Sequence, residues 1–242
     1  MTTPKVLAIA EAREFASEGE DVMSYTWDLS VIVRFLPVLV QGAILTIQLT
    51  CIAVGMGILI GTFVGIGRVS KNKLLFSLST IYVNFIRGTP MLVQLYLVYF
   101  GLPAYFGTIP PRMAAIITLS VNSGAYVAEI VRAGIQSIDR GQLEAARSLG
   151  MTYPQAMRYV LIPQTFKRII PPLGNEFIAL LKDSSIVSVI ALEELVRKGS
   201  MIAGRTFRAF EIWTAVALLF LFMTLPITQL VNYAERRLKQ ND

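Results

Sequence analysis

Apolar residues fall in five long runs separated by short polar segments. A helix that crosses the hydrocarbon core of a bilayer needs about 20 consecutive, largely apolar residues. Residues 35–67 carry no charge between Arg34 and Arg68; 74–99 carry one, Arg87; 113–135 carry Glu129 and Arg132. Residues 169–192 hold Glu176, Lys182 and Asp183 in otherwise apolar sequence, and 212–234 hold no charge. The pattern predicts an all-α membrane protein of about five transmembrane helices. Residues 1–24 are too polar for a span, and the apolar run 6–10 is too short for a secretion signal. They form an expected N-terminal extension outside the membrane, with Tyr25 and Trp27 near the headgroups and 25–242 as one transmembrane domain.

Loop charges predict the orientation, because Lys and Arg close to span ends stay on the cytoplasmic side. Arg68, Lys71 and Lys73 crowd the first loop, Arg140, Arg147, Arg158, Lys167 and Arg168 the third, and Arg236, Arg237 and Lys239 follow the last run. The segment before the first run is richer in acids, and 101–111 are uncharged. The N-terminus is therefore expected outside and the C-terminus in the cytoplasm. The loop over 193–211 dissents mildly, with four bases and three acids on the side expected to be external.

Composition agrees with a membrane protein: 54% of residues are hydrophobic, mean hydropathy is +0.59, and 22 Lys and Arg face 16 Asp and Glu. The basic surplus belongs to cytoplasmic loops rather than to nucleic-acid binding. With no histidine and the single cysteine Cys51, the sequence supports neither a histidine metal site, nor a histidine general base, nor an internal disulfide.

Within the runs, Gly57, Gly61 and Gly65 leave one face of the first helix without side chains, so that another helix can approach closely. Gln41 and Gln48 share a face and either bond across helices or mark the outer interface. In the second run, Arg87-Gly88-Thr89-Pro90 places a charge, a flexible residue and a helix-breaker in succession, which predicts a kink or break. Freed backbone groups in a membrane are tolerated beside protein or a water-filled cavity, so the break points to a polar ligand's path. The other reading is an arginine reaching the interface from a helix end. In the fourth run Glu176 and Asp183 lie near one face, with Lys182, Ser184 and Ser185 adjacent. They either glue helices as a network or line a cavity for a zwitterion, whose ammonium would meet Glu176 or Asp183 and whose carboxylate would meet Lys182, Arg87 or amides near Gly88. Asn122 and Ser123, at comparable depth in the third run, would line the same cavity or form a packing contact. Glu129 and Arg132 are expected to pair.

The loop over 139–163 reads as two short helices. Asp139 caps the first, Gly150 ends it in a left-handed conformation, and Thr152-Tyr153-Pro154-Gln155 starts the second, which Pro163 limits. Leu143, Leu149 and Met151 form apolar anchors, suited equally to a partner's groove or to the membrane surface. Glu144-Ala145-Ala146, three residues, Gly150, nine residues, and then Val160-Leu161-Ile162-Pro163 resemble the coupling motif of binding-protein-dependent ABC importer permeases. That motif has Ile where Val160 stands and Leu where Ile162 stands. Phe85-Ile86-Arg87-Gly88-Thr89-Pro90, Leu92-Val93-Gln94, 99–103 and Leu181-Lys182-Asp183-Ser184-Ser185 resemble the polar amino acid subfamily.

The resemblance implies a type I ABC importer permease fold, paired with a second identical or similar permease chain and powered by two cytoplasmic ATPase subunits. An external binding protein would deliver the amino acid. Glu144, Ala145, Ala146, Leu149, Gly150 and Pro163 would belong to the ATPase-coupling segment. Arg87, Gly88, Thr89, Asn122, Ser123, Glu176, Lys182, Asp183 and Ser184 would line the substrate path. The sequence holds no phosphate-binding Gly-rich loop ending in Lys-Ser/Thr, so the chain is not expected to be an enzyme or to bind a cofactor, and ATP and Mg would reside on the ATPase. An ion-coupled carrier or channel for a small zwitterion could use the same charges without ATP.

Overall fold

A computed structural model of the chain describes residues 25–239, so the extension expected over 1–24 lies outside the described residues. Among the described residues all regular structure is helical. Helix α1 (Leu29–Gly67) starts on Asp28, whose carboxylate accepts from the Ser30 amide at 3.0 Å. The Ser30 hydroxyl holds that carboxyl below the usual carboxylate range. At 1.5 Å per residue α1 is about 58 Å long, well beyond the roughly 30 Å hydrocarbon core, so it tilts or projects from the bilayer.

Helix α2 (Lys73–Gly88) is capped by the Asn72 side chain, which accepts from the Leu74 and Leu75 amides. It ends at the expected break. Thr89 is extended, Pro90 offers no N–H, and the chain restarts as α3 (Met91–Tyr96), a π turn (Leu97–Gly101) and α4 (Pro103–Phe106), bent by 104° from α2. Helix α5 (Pro111–Gln136) is followed by the short α6 (Arg140–Ser148) and α7 (Tyr153–Ala156). Then come a π turn (Met157–Leu161), α8 (Ile162–Asp183), a 3-10 segment (Ser184–Ile190), α9 (Leu195–Thr206) and α10 (Ala209–Lys239).

Three helices, α1, α5 and α10, are long and apolar enough to cross a bilayer alone, and α2 with the bent segment after it is a fourth candidate. The fourth expected run differs from its reading. Its helix begins at Ile162 rather than near 169 and gives way at Ser184 to a 3-10 segment that ends at Ala191, whose φ is 61°. Pro163 does not limit the second loop helix, as the sequence reading had it. It occupies the first turn of α8, where a missing N–H costs little, and the preceding π turn carries the helical path from α7 into α8.

Helix α1 is the spine. A Cβ added at Gly61 would stand 2.5 Å from the Val127 Cβ, one at Gly65 2.8 Å from the Ala128 carbonyl, and one at Gly57 2.7 Å from Ser123 Oγ. The glycine face is therefore the α1–α5 contact. Without a hydrophobic force between helices in lipid, such close approach is what holds them. Farther up α1, Leu39 and Ala43 pack with Leu181, Leu195 and Ile212, while Leu49, Ala53 and Val54 pack with Leu95, Leu119 and Leu180. Gln41 accepts from Lys198 and Gln48 from Arg112, each at 3.4 Å, so both glutamines bond across elements.

The start of α1 and the start of α10 lie at one end of the bundle. Glu211, fully buried, accepts from the Tyr25 hydroxyl and, at 3.2 Å, from the Asp28 amide; Trp27 meets Phe210 edge-on at 4.9 Å. The loop that dissented by charge thus sits beside the entry to α1, on the same side, as the even number of expected runs between them requires. Its Glu194 is also fully buried, capping α9 through the Val196 and Arg197 amides.

Candidate polar path and coupling loop

The break between α2 and α3 frees carbonyls that no helix satisfies, and one side chain takes them up. Gln94, buried on α3, donates from Nε2 to the Ile86 carbonyl at 2.7 Å and lies 3.1 Å from the Thr89 carbonyl and 3.0 Å from Thr89 Oγ1. Its Oε1 accepts from Asn122 Nδ2 on α5 at 3.1 Å. Gln94 was not among the residues read from the sequence as site candidates; its place in Leu92-Val93-Gln94, four residues past Pro90, was the available signal.

Along the face where α2, α5 and α8 converge lie two recesses. The first, about 480 Å³, is lined by Thr89 and Pro90 at the break, Asn122 and Tyr126 on α5, Asp183 at the end of α8 and Ser185 just past it. The second, about 500 Å³, is lined by Arg87, Tyr126, Glu129, Arg168 and Glu176, among others. The expected site residues therefore divide between them: Thr89, Asn122 and Asp183 in one, Arg87 and Glu176 in the other. Among the described residues no ion pair joins Glu176, Lys182 and Asp183, so the expected alternative of a gluing network is not formed. Lys182 is exposed and, like Gly88, lines neither recess. Ser123 is fully buried at the Gly57 contact, and Ser184 donates to the Leu181 carbonyl at 2.8 Å; neither lines a recess.

Glu129 pairs with Arg132 as expected, with 2.9 Å from Nε, and also with partners distant in sequence. Arg68 at the end of α1 approaches to 2.9 Å and Arg87 at the end of α2 to 3.9 Å. The Arg87 guanidinium also stacks over Tyr126, 5.2 Å from the ring centre. One carboxylate thus ties the C-terminal ends of α1 and α2 to α5.

In the loop, the Asp139 side chain accepts from the Gly141 amide at 2.6 Å, Gly150 has φ +84°, and Thr152 and Gln155 form a reciprocal capping box. Ala146 turns inward, whereas Glu144, Ala145, Gly150 and Leu149 are exposed, Leu149 at 81%. An exposed leucine capping the end of a nine-residue helix is an apolar anchor left uncovered by the described residues. The loop is fastened to α8 by Gln164, which donates to Gln142 at 3.3 Å, and the end of α5 just before the loop is tied to α8 by Arg168, which donates to the Ser137 carbonyl.

Residues 57–240 match the family described as binding-protein-dependent transport system inner membrane component. The glutamine transport system permease protein GlnP of Escherichia coli is 38% identical over 219 residues, which are 90% of this chain and 99% of that protein. The arginine transport system permease protein ArtQ of Bacillus subtilis is 37% identical over 216 residues, 89% of this chain and 99% of that one. A crystal structure of an amino acid ABC transporter with histidines superposes with a TM-score of 0.84 at 47% identity, covering 88% of this chain and all of that one. The fold also matches the MetNI methionine ABC transporter in inward-facing conformations, at a TM-score of 0.73 and 24% identity. With a broken second span, a first span packed through its glycines and this likeness along most of its length, the chain belongs to the binding-protein-dependent transport system inner membrane components, the permeases of ABC importers.

Proposed function

We propose that the chain is the permease subunit of an ATP-driven importer that passes a polar amino acid, delivered by an external binding protein, into the cytoplasm of a bacterium. The observation that carries the reading is the fastening of an exposed coupling loop to α8, the helix that contributes Glu176 to one polar recess and leads to Asp183 in the other. A push on Leu149 and Gly150 from an ATPase would travel through Gln142–Gln164 and along the π turn that continues into that helix. Closure of two ATPase subunits on ATP and Mg would then rock this chain against a second permease chain, exposing the recesses to each side in turn. The zwitterion's ammonium would meet Glu176 or Asp183, and its carboxylate Arg87 or backbone near the break. In this reading the C-terminus and the loop over 139–163 are cytoplasmic and the N-terminus is external. The ion-coupled carrier is disfavoured by membership of a family whose transport depends on a binding protein.

The test is affinity purification of the tagged chain from its native membranes in mild detergent, with wild type and Gly150→Asp compared. A Cβ at Gly150 meets nothing within 4 Å in this chain, so a lost partner reads on the outer surface or the left-handed turn. An ATPase that co-purifies with wild type and is lost with the variant is the expected result. A folded wild-type chain that carries no ATPase would overturn the reading.

A further inference from the structure

Resting on the proposed transport path, we infer that Tyr126, with Arg87 laid over its ring, is the partition that separates an outer from an inner chamber in this chain. Tyr126 lines both recesses. Each of the three elements around it contributes to both sides in order along its length. On α5, Asn122 lies about 6 Å before Tyr126 and lines only the first recess, while Glu129 and Ala133 lie after it and line only the second. Arg87 belongs to the second and Thr89 and Pro90, just across the break, to the first. Glu176 and Arg168 on α8 belong to the second, and Asp183 to the first. The shared tyrosine is thus the boundary.

The chemistry on either side fits a partition. The Arg87 guanidinium lies 5.2 Å from the Tyr126 ring centre and 3.9 Å from Glu129, so its charge is held by a ring face and a carboxylate at once. Neither contact is a tight bidentate pair, and the Arg87 side chain remains 41% exposed. A zwitterion's carboxylate arriving from the first recess would compete for Arg87, and its ammonium for the same ring face. Passage would lift the arginine from the ring, so the partition opens to a solute bearing both charges and stays shut to one without them.

Thiol accessibility in the assembled complex, without ATP, tests this without depending on the substrate. Exposed Cys51 is replaced by serine, Ser185→Cys places a thiol in the first recess, and a membrane-impermeant sulfonate-bearing thiol reagent is added to right-side-out or inside-out vesicles. With Tyr126 present the thiol reacts from one face only. Tyr126→Ala is expected to raise the rate from the other face at least ten-fold, while Tyr126→Phe, which keeps the ring under Arg87, leaves it blocked and controls for misfolding. Equal reactivity from both faces with Tyr126 in place, or an unchanged rate in Tyr126→Ala, overturns the partition. Import of labelled glutamine and arginine into the same vesicles is scored separately: import of neither by the Tyr126-containing complex counts against the amino acid reading, whereas the labelling pattern bears on the partition alone.

Discussion

Asn122 on α5 donates from its side-chain amide to Gln94 on α3 across 3.1 Å, and through that one bond the break in the second span is fixed to the third. The same Gln94 amide nitrogen serves the Ile86 and Thr89 carbonyls. Removing it leaves polar groups unpaired where little water reaches. Gln94→Leu, close in volume but unable to bond, is expected to lower stability by about 1–3 kcal/mol, the cost of orphaned buried groups. Thermal unfolding of the purified complex should show a depressed midpoint, and import should fall with it, because Thr89 and Asn122 lose their common anchor. An unchanged midpoint would mean that water replaces the amide.

The glycine face makes a sharper prediction because it contains its own control. An alanine methyl at Gly61 would meet Val127 at 2.5 Å and the Gly124 carbonyl at 2.7 Å, whereas one at Gly55 meets nothing within 4 Å. Gly61→Ala is expected to cost about 1–3 kcal/mol through forced separation of α1 and α5, and Gly55→Ala to be close to neutral within the chain. Yield of folded protein and its thermal midpoint measure both. Equal effects would move the close contact away from this face.

Glu129 stands among Arg68, Arg87 and Arg132. Glu129→Gln would leave three guanidinium groups facing one another without their counter-charge. Breaking a fully buried pair costs about 3–5 kcal/mol; with its side chain 23% exposed, Glu129 should cost about 2 kcal/mol. The loss should shrink in high salt, which screens the repulsion among the arginines. A midpoint lowered equally at low and high salt would point instead to lost hydrogen bonding.

What could be read from the sequence was local. A charge, a glycine and a proline in a row announce a broken helix whatever surrounds them, and Gly57, Gly61 and Gly65 announce a close helix contact by spacing alone. The loop caps at Asp139, Gly150 and Thr152 were legible for the same reason: each is satisfied within a few residues. Partners brought together by the fold were not. Nothing in the sequence says that Arg68 reaches Glu129 across 61 residues, or that the lone glutamine at 94 takes up the carbonyls of the break. Glu176, Lys182 and Asp183 in an apolar run left a gluing network and a cavity lining both open, and what the run does not reveal is that Lys182 and Asp183 are exposed where α8 yields to the 3-10 segment. Pro163 read as a stop because its neighbours, taken alone, do not reveal the π turn that carries the chain past it.

Leu149 separates the two roles that the loop's apolar residues were given. At 81% exposure it contributes little to this chain's own packing, while Ala146, on the helix that Leu149 caps, is 4% exposed and does. Leu149→Ser should therefore leave the thermal midpoint of the isolated permease within about 0.5 kcal/mol of wild type, as surface substitutions generally do. If Leu149 fills a pocket on an ATPase, however, the same change removes a buried leucine from that interface, worth about 1.5–3 kcal/mol, or ten-fold to a hundred-fold or so in dissociation constant. Titration of the detergent-solubilised permease with its ATPase measures that shift directly. If the leucine instead rests on the membrane surface, Leu149→Ser leaves ATPase affinity untouched and weakens only the loop's contact with lipid. Ala146→Leu is the complementary change, because added volume on the inward face should disturb α6 and the fastening of the loop to α8. Import is then expected to fall in both variants for different reasons: in Leu149→Ser because the ATPase dissociates, and in Ala146→Leu because a bound ATPase no longer moves α8.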